Sequence, residues 1–395
     1  MGLSRGRKLL FAAGALLASA AVCMSLIELW VRMRWDDRQG RPGFFLTDAH
    51  RGQRLSPGYD GWFAGVPVRI NSLGFRDRKD YPLDKAPNTF RIIVLGDSVT
   101  FGHGTLDETT YPNLLEQQLR AWRPNVNWEV WNLGVPGYNT GQELAYLEEI
   151  GPRARPDLVI VGFYPNDFSG DNGPANRGAL VRASAPLLRF AQRHLYSFEV
   201  YKRAFLTARF RLFTSKDNQL RLEHLASEDE LLQRGAGQGE VQRLTARDRV
   251  DGPDLYTFEC PGRDSTPRGT SSLAQQLRDR DPEYATWFRA VARLQALHQD
   301  GAYKIVFFIN MAPVVCEPAD RFIDGGRLAD DAALLELLGK GTPAVSSTRA
   351  FFQYRPSQMP AAGGHAIGNS NLVKAEVLAS FLEQQILPPL LPASP

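Results

Sequence analysis

The stretch Phe90-Arg-Ile-Ile-Val-Leu-Gly-Asp-Ser-Val-Thr-Phe-Gly102 decides how the chain is read. Arg91 to Leu95 has the form of a buried parallel strand: four consecutive apolar residues, mostly β-branched, stop abruptly at Gly96. The strand delivers Asp97 and Ser98 to its carboxyl end, which is where open parallel sheets bind their ligands. Taken alone, Gly-Asp-Ser equally describes a serine capping the next helix. The chain downstream decides between the two.

Working outward, β and α signals alternate. Tyr111 to Trp122 has apolar residues at Leu114, Leu115, Leu119 and Trp122, a helical spacing. Val126 to Trp131 reads as a second strand, Gly141 to Ile150 as a helix and Leu158 to Phe163 as a third strand. After a long interruption come a helix over Glu283 to Gln299, a strand over Ile305 to Ile309 and a helix over 329–338. Ala344 to Tyr354 reads as a weak strand or turn region. A closing helix over Leu372 to Ile386 buries Leu372, Val373, Val377, Phe381, Leu382 and Ile386 and is stopped by Pro388-Pro389. Such alternation predicts a parallel sheet with helices on both faces.

Polar residues and glycines recur just past the strand ends. Asn132-Leu-Gly-Val-Pro-Gly137-Tyr-Asn-Thr140 follows the second strand, Phe163-Tyr-Pro-Asn166-Asp167 follows the third, and Gly363-Gly-His365 precedes the closing helix. With Ser98, these blocks resemble those of the SGNH (GDSL) hydrolase superfamily, in the same chain order and over roughly residues 70–390. The resemblance implies a flavodoxin-like three-layer α/β/α sandwich around a central parallel sheet. It implies a serine esterase acting through an acyl-enzyme, with Ser98 as nucleophile and His365 as base. Gly137 N–H, the Asn166 amide and Ser98 N–H would form the oxyanion hole. Similar folds in the superfamily also transfer acetyl groups, so an O-acyltransferase acting on a polysaccharide is the alternative. A third reading is a carbohydrate-binding module on a catalytic scaffold that has lost its activity.

These residue types suit that chemistry. A hydroxyl needs a positioned base, and an imidazole titrates in the right range. Glycine lets backbone approach a developing oxyanion, and an amide donates to it without charge, whereas Asp167 offers only acceptors. The chain departs from the family pattern twice. Ala362 stands where an Asp is usual three residues before the His, leaving either a Ser98–His365 dyad or an acid from elsewhere, such as Asp324. Tyr164 stands where a Gly is usual two residues before the Asn. His103, five residues beyond Ser98, competes with His365 as base.

Composition bounds the rest. The 395 residues carry a net charge of +3, and no long basic cluster interleaved with aromatics supports nucleic-acid binding. Neither a phosphate-binding Gly-rich loop nor a metal-ligand spacing is present in the sequence, so no cofactor is expected. Leu9 to Val31 is almost entirely apolar after Arg5, Arg7 and Lys8. That length suits a transmembrane anchor (segment 1–31) with an exported domain better than a cleaved signal peptide and secretion, with Glu28 the one discordant residue. Residues 32–70 read as a stalk and 71–390 as the hydrolase domain. Within it, about 170–275 form a mainly helical insert, either covering substrate or decorating the edge. Its helical stretches are Leu187 to Leu206 and Leu220 to Gln233, and the loop Gly235 to Gly239 and the run Arg263 to Ser272 are polar. Asn71-Ser-Leu-Gly-Phe-Arg76 reads as a packing turn. Cys260 and Cys316 pair if the domain is exported, and are free thiols otherwise.

Overall fold

The computed structural model describes residues 5–168, 179–213, 260, 273–362 and 365–391. Helix α1 (Arg5–Arg34) runs the length of the apolar segment. It is followed by two antiparallel hairpins, β1 (Phe45–Asp48) with β2 (Gly52–Leu55), and β3 (Asp60–Phe63) with β4 (Val66–Arg69). The expected stalk is therefore corrected. Phe44, Leu55, Tyr59, Val66, Val68 and Ile70 are buried in the main core together with the central strands. Strands of four residues are too short to show a period in sequence, but their turns sit on glycines with positive φ, Gly52 (78°) and Gly65 (77°).

The central sheet begins with β5 (Thr89–Gly96), the strand read from the opening stretch. The short helix α2 (Ser98–Phe101), helix α3 (Tyr111–Trp122), β6 (Asn127–Gly134), α4 (Thr140–Ala154) and β7 (Leu158–Phe163) follow. Two helices, α5 (Ala179–His194) and α6 (Tyr196–Phe213), occupy the described part of the insert. The expected helix Leu220 to Gln233 and the runs 235–239 and 263–272 lie outside the described residues. The core resumes with α7 (Leu273–Arg278), α8 (Ala285–Gln299) and β8 (Ile305–Ile309). A small hairpin of β9 (Val314–Cys316) and β10 (Arg321–Ile323) leads to α9 (Arg327–Leu338), β11 (Ala344–Ser346) and α10 (Thr348–Phe351). The hairpin β12 (Ala361–Ala362) and β13 (His365–Ala366) precedes α11 (Asn369–Phe381).

Five of these strands form one sheet in the order β11-β8-β7-β5-β6, and every pair in it is parallel. Numbered along the sheet's own strands this is 2-1-3-4-5, the flavodoxin-like order, so the expected three-layer α/β/α sandwich is present. The strand order reverses between β5 and β7, and a ligand crevice is expected at that switch point, outside the carboxyl ends of the strands. The sheet carries two apolar layers, one on each face. Ile93, Leu95, Val159 and Phe307 meet α4 and α8, while Ile92, Val94, Ile160 and Phe308 meet α3 and α11.

The closing helix buries Val373 and Leu382 as expected, but the rest of its buried face differs. Ala375, Leu378, Ala379 and Leu382 are buried along with Lys374, whereas Leu372 and Val377 are only partly so. Two alanines bring this helix close to the sheet layer, and reading by large apolar residues alone overlooks them. Cys260 and Cys316 are joined in a disulfide, which ties residue 260 to β9.

Candidate active site

Three glycines shape the floor of the switch point. Gly96, Gly134 and Gly162 lie in register across β6, β5 and β7. A Cβ on Gly134 would lie 2.2 Å from Phe101 N, and on Gly162 2.5 Å from Thr100 Oγ1. Only hydrogens at these positions let α2 settle directly on the strand ends. Asp97 caps α2 by accepting from Val99 N–H at 2.8 Å, and Thr100 Oγ1 bonds Tyr111 Oη at 2.8 Å. Ser98 is thereby held at the first turn of a short helix above the sheet.

His365 reaches it from the other end of the chain. Ser98 Oγ and His365 Nε2 lie 2.7 Å apart, a strong hydrogen bond between residues 267 positions apart. The imidazole sits on β13, where it is the cross-strand partner of Ala362. It is also stacked on His103, with ring centroids 4.3 Å apart and an interplanar angle of 23°. The His103 ring in turn meets the edge of Phe63 from β3 at 5.3 Å. The first hairpin pair thus supports the rim of the site.

Asn166 and Gly137 lie exposed, past the ends of β7 and β6. The Asn166 amide donates to Asp97 Oδ2 at 2.8 Å, and this bond orients the amide beside the residue preceding Ser98. Gly137 adopts φ 82°, the left-handed conformation that favours glycine. Asp324 lies between β10 and α9, and its carboxylate accepts from Leu328 N–H at 2.7 Å in the first turn of α9.

Charged groups lie buried behind this surface. Asp97 is fully buried, and loss of hydration raises its pKa against the opposing pull of its hydrogen bonds and of Lys374. Burial lowers Lys374 to about 8, opposed by the charge of Asp97. Glu143 of α4 and Asp167 are both raised well above ordinary carboxyl values, first by burial. Asp97 adds repulsion to Glu143, and Glu143 and Asp97 both add it to Asp167. Neither oxygen of Glu143 has a hydrogen-bond partner, and neither does Asp167 Oδ1. Asp167 Oδ2 accepts from Tyr164 N–H at 3.0 Å and closes the turn that carries Asn166. Among the described residues no group of three or more His, Cys, Asp or Glu is arranged to hold a metal ion.

Sequence reading missed two contributors, Arg76 and Lys374, and did not place a third, His103. Arg76 is buried and donates to Asp107 and to the carbonyls of Phe101, Gly102 and Thr105, so the Asn71–Arg76 turn fixes the loop that carries His103. Its signal was an arginine directly after the buried Phe75. Lys374 could have been found as the one cation on an apolar helix face. His103 was noticed as a rival base, and its place against His365 emerges only from the fold.

A parallel α/β sandwich that sets a strand-end serine against an imidazole at the switch point is the architecture of an ester hydrolase. The chain belongs to the GDSL-like lipase/acylhydrolase family, whose model matches residues 94–303, more than half of the sequence, and it is a hydrolase acting on ester bonds. No curated protein matches the chain. Among solved structures it is similar to an alpha/beta hydrolase enzyme from the metagenome of Lake Arreo (14% identity, TM-score 0.35, covering 75% of this chain and 96% of that one). A lipase/acylhydrolase from Enterococcus faecalis gives 14% identity and a TM-score of 0.35 over 74% of this chain and 95% of that one. A variant of an acetyl xylan esterase from Geobacillus stearothermophilus gives 12% and 0.35 over 74% and 93%.

Proposed function

We infer that the chain is a serine esterase acting through an acyl-enzyme, with Ser98 as nucleophile and His365 as base. The observation that carries this reading is the 2.7 Å contact between Ser98 Oγ and His365 Nε2. With its proton on Nδ1, the imidazole accepts the serine proton at Nε2 as Oγ attacks the ester carbonyl. The tetrahedral oxyanion is held by the N–H groups of Gly137 and Ser98 and by the Asn166 amide, each donor contributing about 2.7–4 kcal/mol in comparable sites. Protonated His365 then gives its proton to the leaving alcohol. In the second half His365 takes a proton from the attacking water, and as the bond from the acyl carbon to Oγ breaks, His365 returns that proton to Ser98 Oγ, which releases the acid and restores both residues. The buried glycine row and the Asp97–Asn166 bond support this assignment because they orient the groups before substrate arrives.

Transfer of the acyl group to a carbohydrate hydroxyl would share every step up to the acyl-enzyme and differ only in the second nucleophile. Export of the domain behind α1 is consistent with the Cys260–Cys316 bond, since disulfides persist in oxidising compartments. A fluorophosphonate probe with intact-mass readout tests the proposal. One adduct per chain is expected, mapped to Ser98 and absent in Ser98→Ala, and labelling that survives this substitution would refute the assignment.

A further inference from the structure

Helix α1 contains an 18-residue window of mean hydropathy 2.2, none of it buried against the rest of the chain, as in a helix long and apolar enough to cross a membrane. Its last turns, however, are bound to the insert. The Glu28 carboxylate accepts from the N–H groups of Tyr196 and Ser197 at 3.0 and 2.9 Å and from Ser197 Oγ at 2.7 Å. Arg32 pairs with Glu28 at 2.7 Å and donates to His194 O at 2.6 Å. The Trp35 ring meets Tyr196 edge-on at 5.2 Å, and the Arg203 guanidinium lies 5.2 Å from the Trp35 ring. The discordant carboxylate of the apolar run thus caps the start of α6.

This clamp sets a level. Leu9 to Ile27 would span about 28 Å at 1.5 Å per residue, close to the roughly 30 Å of a hydrocarbon core. Glu28, Arg32 and the α5–α6 junction then stand at the bilayer's edge. Outside α1, the described residues expose six large apolar side chains, and five of them lie on these two helices: Leu187, Phe190, Val200, Tyr201 and Phe205. Along the helix axes, Phe190 and Phe205 are within roughly 6–14 Å of the clamped junction. Arg189, Arg193 and Arg203 are interspersed among them and exposed. Aromatic rings mixed with arginines suit the headgroup zone, where an apolar body and a cationic tip are both solvated.

We propose that α5 and α6 are a second membrane contact, lying in the headgroup zone of the bilayer that α1 crosses. The proposal rests on α1 being retained and embedded, and is independent of the catalytic assignments. A single helix leaves a domain free to swivel, and a second contact fixes which side faces the lipid. Gln192 of α5 also bonds Thr47 of β1, and Phe45 of that strand packs edge-on against Phe63 of the neighbouring hairpin, whose ring supports His103, so the rim of the site is joined to the membrane contact.

The test uses the full chain with Cys23→Ser and single cysteines at Leu16, Phe190, Phe205 or Gln117, each carrying an environment-sensitive fluorophore. The protein is held in nanodiscs of phosphatidylcholine and phosphatidylglycerol that contain nitroxide lipids. The probe at 16 should be quenched by deep nitroxides and those at 190 and 205 by shallow ones, with 117 quenched by neither. A cooperative thermal unfolding transition matching that of the unlabelled parent confirms that each labelled chain is folded, and Leu187→Cys and Val200→Cys replace any variant that is not. Quenching at 16 with 190 and 205 as bright as 117 would overturn the proposal, and so would absence of quenching at all four positions.

Discussion

Ser98→Ala and His365→Ala should each abolish measurable ester turnover while leaving the thermal midpoint nearly unchanged, because residues working as one unit are not additive. Comparable activity in His365→Ala and the parent chain would dismiss it as the base. His103 offers a finer test, since its ring lies flat against that of His365. His103→Ala should lower kcat by about tenfold, equivalent to about 1.4 kcal/mol, with KM little changed, whereas His103→Phe keeps the stack and should recover most of the loss. Equal loss in both would mean that the imidazole itself is needed. Asp324→Asn addresses the unfilled acid position: unchanged turnover leaves the dyad, and a strong fall in kcat alone assigns Asp324 the orienting role. At this scale the sequence was legible where a residue is defined by its place after a strand, as Ser98 and Asn166 are. It was silent on Arg76 and Lys374, because a cation reads as solvated surface until the fold shows what encloses it.

Helix α4 and the turn after β7 each bring one carboxyl group into the same dry space. Glu143 and Asp167 hold protons in the folded chain at pH values where the unfolded chain has released them, since burial raises both above their ordinary 4.5 and 3.8. The sign follows directly: unfolding free energy falls as pH rises from about 4 through the raised folded values. Glu143→Gln removes its share, so the variant's urea midpoint should exceed the parent's by a margin that widens from pH 5 to pH 8. Parallel curves would show that this pair carries no such cost. Elements with long apolar runs or clear helical spacing, such as β8 and α3, could be read to the residue from sequence. The hairpins β1 to β4 could not, because four-residue strands gain their stability from covering the core and carry little pattern of their own.

The molecule as a whole is held by more than its sheet. The Cys260–Cys316 bond closes a loop with a sequence separation of 56, for which chain-entropy arguments give a stabilisation of about 4 kcal/mol. Thiol titration of the unfolded, unreduced chain should find one reactive group, Cys23, and Cys316→Ser should lower the denaturation midpoint to that of the reduced parent. Three reactive thiols would rule the bond out. The parallel sheet was legible in the alternation of strand and helix patterns and its flavodoxin-like form in the family resemblance, while the insert's link to α1 was not, because nothing local in a sequence says that a carboxylate will meet a helix start 168 residues away. The sequence separation of 267 between Ser98 and His365 also governs timing. A ribosome makes the serine, the glycine row and most of the sheet well before the histidine. If Ser98 and His365 are the nucleophile and base proposed above, every nascent chain carries a nucleophile strand with no base, and stays chemically silent until its synthesis has passed β13 and the last layer can close over the sheet.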